Sequence, residues 1–126
     1  MRIIRIVPNI SSEHFAASRD FYVELFDLVV SVELDDWYLQ LMPPEDPSLN
    51  IGFVKPAPDR FVGRVAPPGT YALVLTTHVD DVDAAYERAQ RMGAEIAEEI
   101  RDEAYGQRHF LVVDPNGLLL NVMSAI

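Results

Sequence analysis

"YGQRHFLVVDPNGLLLNV", residues 105–122, reads as two β-strands joined by a tight turn at Asp114-Pro115-Asn116-Gly117. The second strand carries Asn121, a lone polar side chain among leucines and valine. A carboxylate there would point to a metal enzyme. An amide leaves open whether the position belongs to a working site, and the rest of the chain has to decide it.

Upstream of this hairpin, "DDVDAAYERAQRMG" places Val82, Ala85, Tyr86, Ala89 and Met92 on one helical stripe, with Asp80 or Asp81 as cap and Gly93 as stop. Residues 14–27, "HFAASRDFYVELFD", do the same with Phe15, Ser18, Phe21, Tyr22, Leu25 and Phe26, and Ser11 or Ser12 is placed to cap them. Each helix is preceded by one β-rich run and followed by three. The runs are 3–10, 28–34, 37–42 and 49–54 in the first half, and 71–77, 94–100, 107–113 and 118–123 in the second. The halves correspond at an offset of roughly 64 to 70 residues, which pairs Asp46-Pro47 with Asp114-Pro115 and Tyr22 with Tyr86. Pro56, Pro58, Pro67 and Pro68 mark residues 55–69 as a linker. The expectation is one α+β domain over 1–126, built of two βαβββ modules at about 1–54 and 70–126. Its eight strands are expected to form incomplete barrels, accompanied by two main helices.

A chain of 126 residues with 49% hydrophobic content suits one domain with a real core. No run approaches the ~20 apolar residues of a membrane span, and "MRIIRIVPNISSEHF" lacks a signal-peptide pattern. A cytoplasmic protein is expected. The absence of cysteine removes disulfides, thiolate catalysis and zinc-thiolate sites. A net charge of -10 repels nucleic acid and anionic membranes and favours cationic ligands, although the same charge also simply keeps a small protein soluble.

The stretches "NISSEHFAASRDFY" (9–22), "HVDDVDAAYERAQRMGAEI" (78–96) and "GQRHFLVVDPNGLLLNV" (106–122) resemble the vicinal oxygen chelate superfamily. That superfamily includes glyoxalase I, extradiol dioxygenases and the bleomycin resistance proteins. The resemblance covers essentially the whole chain and implies the βαβββ fold and a homodimer; one fold hosting several chemistries, it does not imply an activity. In the metal-dependent members, His, Glu or Gln side chains from four strands hold a divalent ion in a concave cup. Carried across, those positions fall at Val7, Phe53, Val74 and Asn121, three without a donor and one a neutral amide. A slip of one residue brings in Ile6, Pro8, Gly52, Val54, Leu73, Leu75, Leu120 or Val122, none better. The resemblance is thus closest to metal-free members of the bleomycin resistance kind, and no metal or cofactor is expected.

Strand alternation puts Ile3, Arg5, Val7 and Asn9 on the face of the lost first donor, and Leu119, Asn121 and Met123 on that of the last. Apolar walls with a few polar groups suit a small organic molecule. Arg5 either faces an anionic ligand group or pairs with an acid of the protein. Trp37, beside Tyr38 and behind Asp35 and Asp36, either covers the core or stacks on a planar, cationic ligand. In the strand at 107–113 either Gln107 and His109 line the cup, or Arg108, Phe110 and Val112 do. His14 reads as a surface residue near the helix entry, His78 shares strand parity with Val74 and either faces the cup or sits at the surface at the strand end, and no carboxylate stands beside a histidine in a way that suggests a dyad. The candidate ligand-binding set is therefore Arg5, Val7, Trp37, Tyr38, Phe53, Gln107, His109 and Asn121, with no catalytic and no metal-binding residue. The expected function is sequestration of a planar or cationic natural product at a dimer cleft, and the alternative is an enzyme of the same superfamily. The expected partners are that ligand and a second copy of the chain.

Overall fold

In the computed structural model, which describes residues 1–56 and 73–126, the chain divides into two compact units, Met1–Thr70 and Tyr71–Ile126. Most of the expected linker, and the first residues of the strand expected at 71–77, lie outside the described residues. The first unit contains β1 (Asn9–Ser11), α1 (Phe15–Phe26), β2 (Val29–Leu34), β3 (Tyr38–Met42) and β4 (Ile51–Val54). The second contains β5 (Val74–His78), α2 (Val82–Arg91), β6 (Glu95–Glu103), β7 (Gln107–Val113) and β8 (Leu119–Ala125). Each forms an open four-stranded sheet, in the orders β1-β4-β3-β2 and β5-β8-β7-β6. In both, the outer pair β1–β4 or β5–β8 is parallel and the other pairs are antiparallel. The fold is α+β and the βαβββ order holds in both units.

One face of each sheet packs on its helix. In the first unit Phe21, Tyr22 and Leu25 of α1 are buried, and the Tyr22 ring lies 5.2 Å from that of Phe53, beside Leu39 and Leu41, which are fully buried. In the second, Val82, Ala85 and Ala89 of α2 are buried, and Tyr86 meets Phe110 edge-on at 5.0 Å, on the face of Val112, Leu120 and Val122. Tyr22 and Tyr86 therefore do the same job in the two repeats, each placing an aromatic ring on its own sheet.

The caps differ in detail from the sequence reading. Asp81 caps α2, its carboxylate accepting from Ala84 N at 3.0 Å. At α1 the N-cap position is His14, with no side-chain cap bond, and Ser12 instead accepts from His14 N at 3.0 Å, outside the helix. The larger departure is at the amino terminus, where the strand expected at 3–10 shrinks to Asn9–Ser11. In a parallel pair starting at Asn9–Gly52, residues before Pro8 would have to pair with residues before Ile51. Those residues form the turn region that holds Pro43, Pro44 and Pro47, so the partner strand runs out. Ile3, Ile4 and Ile6 are accordingly 70, 71 and 73% exposed.

Candidate functional site

Residues directly opposed across a sheet share a face, and so do every second residue of a strand. Leu111 and Thr76 both stand in register with Asn121, so Gln107, His109, Leu111 and Val113 lie on the face of Asn121, turned away from α2. Arg108, Phe110 and Val112 take the helix face, where Arg108 binds Asp83 of α2 at 2.9 Å and Asp102 at 3.1 Å. Those two carboxylates hold Arg108 well above its ordinary value and Arg108 holds Asp83 below its own. The question of which face of β7 joins Asn121 is answered by the helix that covers the other one.

On this far face the His109 ring is clamped at both nitrogens. Nδ1 lies 2.8 Å from Asn121 Oδ1 and Nε2 lies 3.0 Å from Glu103 Oε1. Asn121 Nδ2 in turn points at Thr76 Oγ1, at 3.4 Å. Hydrogen bonds to Asn121 first and Glu103 second raise the His109 pKa, while the bond from His109, then that from Arg101, lowers that of Glu103. Arg101 also contacts Glu98 at 2.8 Å. Glu98, Glu103 and His109 hold ligand-capable atoms within 4.8 Å of one another, but Arg101 already compensates both carboxylates.

The ion pair makes a signed prediction. A raised His109 pKa gives stability that is fully present below the unfolded value, near ~6.5, and lost as pH rises through the folded one. A lowered Glu103 pKa gives stability present above about 4.3 and lost as pH falls through its folded value. The difference in Tm between the native protein and Glu103→Gln should be largest between these limits and shrink on both sides. A pH-independent difference would mean that the pair is not ionised.

The first unit has a matching polar network. The Tyr38 hydroxyl donates to Gln40 Oε1 at 2.6 Å, and Gln40 Nε2 donates to Asn50 Oδ1 at 2.8 Å. Ser31 Oγ lies 3.1 Å from the same Asn50 oxygen, and Asn50 Nδ2 donates to Pro47 O at 2.7 Å. Burial raises the Tyr38 pKa, with nearby Arg5 opposing it. Gly52, in register with both Asn9 and Gln40, leaves the space that this network fills. A Cβ there would collide with Asn9 Oδ1 and come within 2.9 Å of the Tyr38 hydroxyl. Gly52→Ala should displace both side chains at a cost of about 1 kcal/mol, the low end for overpacking because side-chain ends can yield. Chemical denaturation and the Asn9 side-chain amide signals would read it; unchanged signals would refute the close approach.

Several expected site residues are thus placed differently. Tyr38, Gln107, His109 and Asn121 lie on the far faces of their own sheets, with Arg5 near Tyr38. Phe53 does not: it is fully buried between Leu39 and Tyr22, on the helix face. From Asp46 to Ile51, the partner of Leu41, the chain takes five steps, whereas from Asp114 to Leu120, the partner of Val112, it takes six. Alignment on the Asp-Pro pairs therefore flips the parity, and Gly52 holds the place of Asn121. Val7 lies before β1 and offers its carbonyl to Asn9 Nδ2 at 3.3 Å. Trp37 ends the β2–β3 turn, half-buried, with its ring 5.7 Å from that of Tyr38, while Asp36 faces Lys55 at 3.6 Å. The expectation that no carboxylate stands beside a histidine is corrected by Glu103. Gln40, Asn50 and Glu103 are the polar residues that sequence reasoning misses. Position across a tight turn is the available signal for Glu103, six residues from His109.

Paired βαβββ units with amides and hydroxyls on the face away from each helix define a class of protein, and comparison with known families makes it specific. Residues 2–122 match the Glyoxalase/Bleomycin resistance protein/Dioxygenase superfamily, and the chain belongs to it. TnmS3, an antibiotic binding protein from Streptomyces sp. CB03234, superposes with a TM-score of 0.77 at 21% identity, covering 100% of this chain and 99% of that one. A glyoxalase/bleomycin resistance protein/dioxygenase family enzyme from Burkholderia phytofirmans PsJN gives 0.78 at 17% identity, covering 95% and 97%. The bleomycin resistance determinant encoded on transposon Tn5 gives 0.70 at 19%, covering 96% and 97%. No curated protein matches in sequence. At these identities the likeness is one of fold. Among the described residues no helix is long and apolar enough to cross a membrane.

Proposed function

We propose that the protein binds and sequesters a small organic molecule without a metal, in a cleft that two copies of the chain complete. The observation that carries this reading is the chemistry of four positions on the far faces. Where β1 meets β4 and β5 meets β8, the registered pairs are Asn9 with Gly52 and Thr76 with Asn121, all neutral and all poor ligands for a divalent ion. The antibiotic-binding and bleomycin resistance relatives share the fold and support a natural product as ligand. The Glu103–His109 pair is the feature that favours an enzyme instead. Both ring nitrogens are already engaged, however, which leaves none to take a proton from a substrate.

The ligand reading includes Trp37, the only tryptophan, as a stacking surface for a planar cationic group. Titration with basic aromatic antibiotics, bleomycin among them, should quench or shift its emission. Trp37→Ala should weaken binding by about 1 to 3 kcal/mol at every salt concentration. Asp36→Asn should act mainly at low salt, since screening removes exposed charge effects beyond ~8 Å at physiological ionic strength. A ligand found by thermal shift that leaves the emission and the Trp37→Ala affinity unchanged would remove Trp37 from the site. A stoichiometric ion surviving dialysis would turn the choice toward an enzyme, and a monomer by light scattering would remove the shared cleft.

A further inference from the structure

We propose that Asn121 is held as an oriented hydrogen-bond donor by His109 and Glu103, so that the far face of the second unit selects ligands presenting a carbonyl or carboxylate oxygen. This rests on the binding reading above and says which chemistry that face prefers. Two oxygens, Glu103 Oε1 and Asn121 Oδ1, flank the two nitrogens of one imidazole. Neither a carboxylate nor an amide oxygen can donate, so this arrangement of the two oxygens fits a ring that carries hydrogen on both nitrogens. With Oδ1 bound to the ring, the Asn121 amide nitrogen faces the other way, toward Thr76 Oγ1 at 3.4 Å. That long contact uses one N–H at most and leaves the second for a ligand on a side chain that is partly exposed.

The surroundings favour this state. The charged groups of β6 near the ring are Glu98, Glu103 and Arg101, of which Arg101 spans the two carboxylates. On this face β8 presents neutral Asn121 and Met123, and β5 presents neutral Thr76 together with His78, which shares Met123 with His109 as partner in register; the Asp83–Arg108 pair lies on the opposite face with α2. His109 is 8% exposed, so water competes little for its nitrogens. When the ring loses its proton, the carboxylate keeps the hydrogen on Nε2 and Nδ1 becomes an acceptor. Asn121 must then turn its NH2 inward and its oxygen outward, with Thr76 donating. Donor and acceptor are exchanged at the ligand side by a proton that never touches the ligand.

The test begins with ligand-free protein. By 15N NMR, both His109 ring nitrogens should be protonated at pH 6. The Asn121 side-chain amide should shift with pH at the same midpoint as the ring, above that of an ordinary histidine. Glu103→Gln should lower both midpoints together. A neutral ring at pH 6, or Asn121 signals indifferent to pH, would overturn the proposal and leave the binding reading intact. Fluorenone and fluorene then serve as matched planar probes that differ by a carbonyl against a methylene. Fluorenone should bind about three- to tenfold more tightly at pH 6, the span of one net hydrogen bond, perturb the Asn121 amide, and lose that advantage above the His109 midpoint. Equal binding of the two probes on this face would also overturn the donor assignment while sparing the binding reading, whereas binding of neither would count against both.

Discussion

Phe53→Ala should lower the unfolding free energy by about 3–5 kcal/mol, the range for deleting a fully buried aromatic ring, with no specific loss at the ligand face. The ring has no exposed surface, lies 5.2 Å from Tyr22 and stands opposite Leu39 in register. Its removal leaves a cavity bounded by a sheet on one side and α1 on the other, neither free to collapse. Denaturant melts should show a lower midpoint at an unchanged slope, the mark of lost stability without a changed denatured state. Phe53→Leu, which keeps most of the volume, should cost much less, about 1 kcal/mol. Had Phe53 lined the cup, as counting from the Asp-Pro pair implies, alanine would cost little stability and much affinity. That pattern of results would reinstate it as a ligand contact.

Phe53 also shows which parts of this fold a sequence can disclose. Helix stripes and the βαβββ order are periodic signals repeated over many residues, so single errors do not disturb them, and among the described residues both helices and the eight strands follow in the expected order. Facing is different, because a one-residue change in a turn moves every later side chain to the other face. The turn before β4 is one step shorter than that before β8, and nothing in "DPSLNIGFV" announces it. Glu98 and Glu103 illustrate the same point. Five residues apart, they would face opposite sides of a regular strand, yet they stand in register with Leu111 and Gln107 on one face. The register shift between Glu98 and Arg101 makes this so. The polar cluster around His109 therefore depends on an irregularity invisible to a period-two reading. Length of pairing is hidden too: "MRIIRIV" has strand composition, but strand status needs a partner, and β4 begins too late to supply one.

The turn at 114–117 should prove the second most costly place to cut. Asp114 is 4% exposed, and its Oδ1 accepts from both Asn116 N and Leu118 N at 2.8 Å. The backbone completes the turn through Gly117 N to Asp114 O at 3.1 Å and Asp114 N to Leu118 O at 2.9 Å, with Gly117 in a left-handed conformation at φ 84°. Asp114→Ala should destabilise the protein by about 2–3 kcal/mol, because it strands a buried amide at Leu118 and loses a charge-assisted acceptor. Asn116 N, less buried, can turn to water. Asp114→Asn keeps one acceptor oxygen and should cost about 1 kcal/mol. The repeat supplies its own control. Asp46 makes the corresponding bond to Ser48 N at 3.0 Å, but on an exposed turn, so Asp46→Ala should leave the melting curve nearly unchanged. Similar losses at Asp46 and Asp114 would show that the bonds rather than their burial set the cost. The two carboxylates also lead into strands of different consequence. A loosened Asp114 turn frees the register of β8 on β7, and with it the 2.8 Å contact between Asn121 and His109. Asp114→Ala should therefore broaden the Asn121 side-chain amide signals under conditions where the protein is still folded, and Asp46→Ala should not.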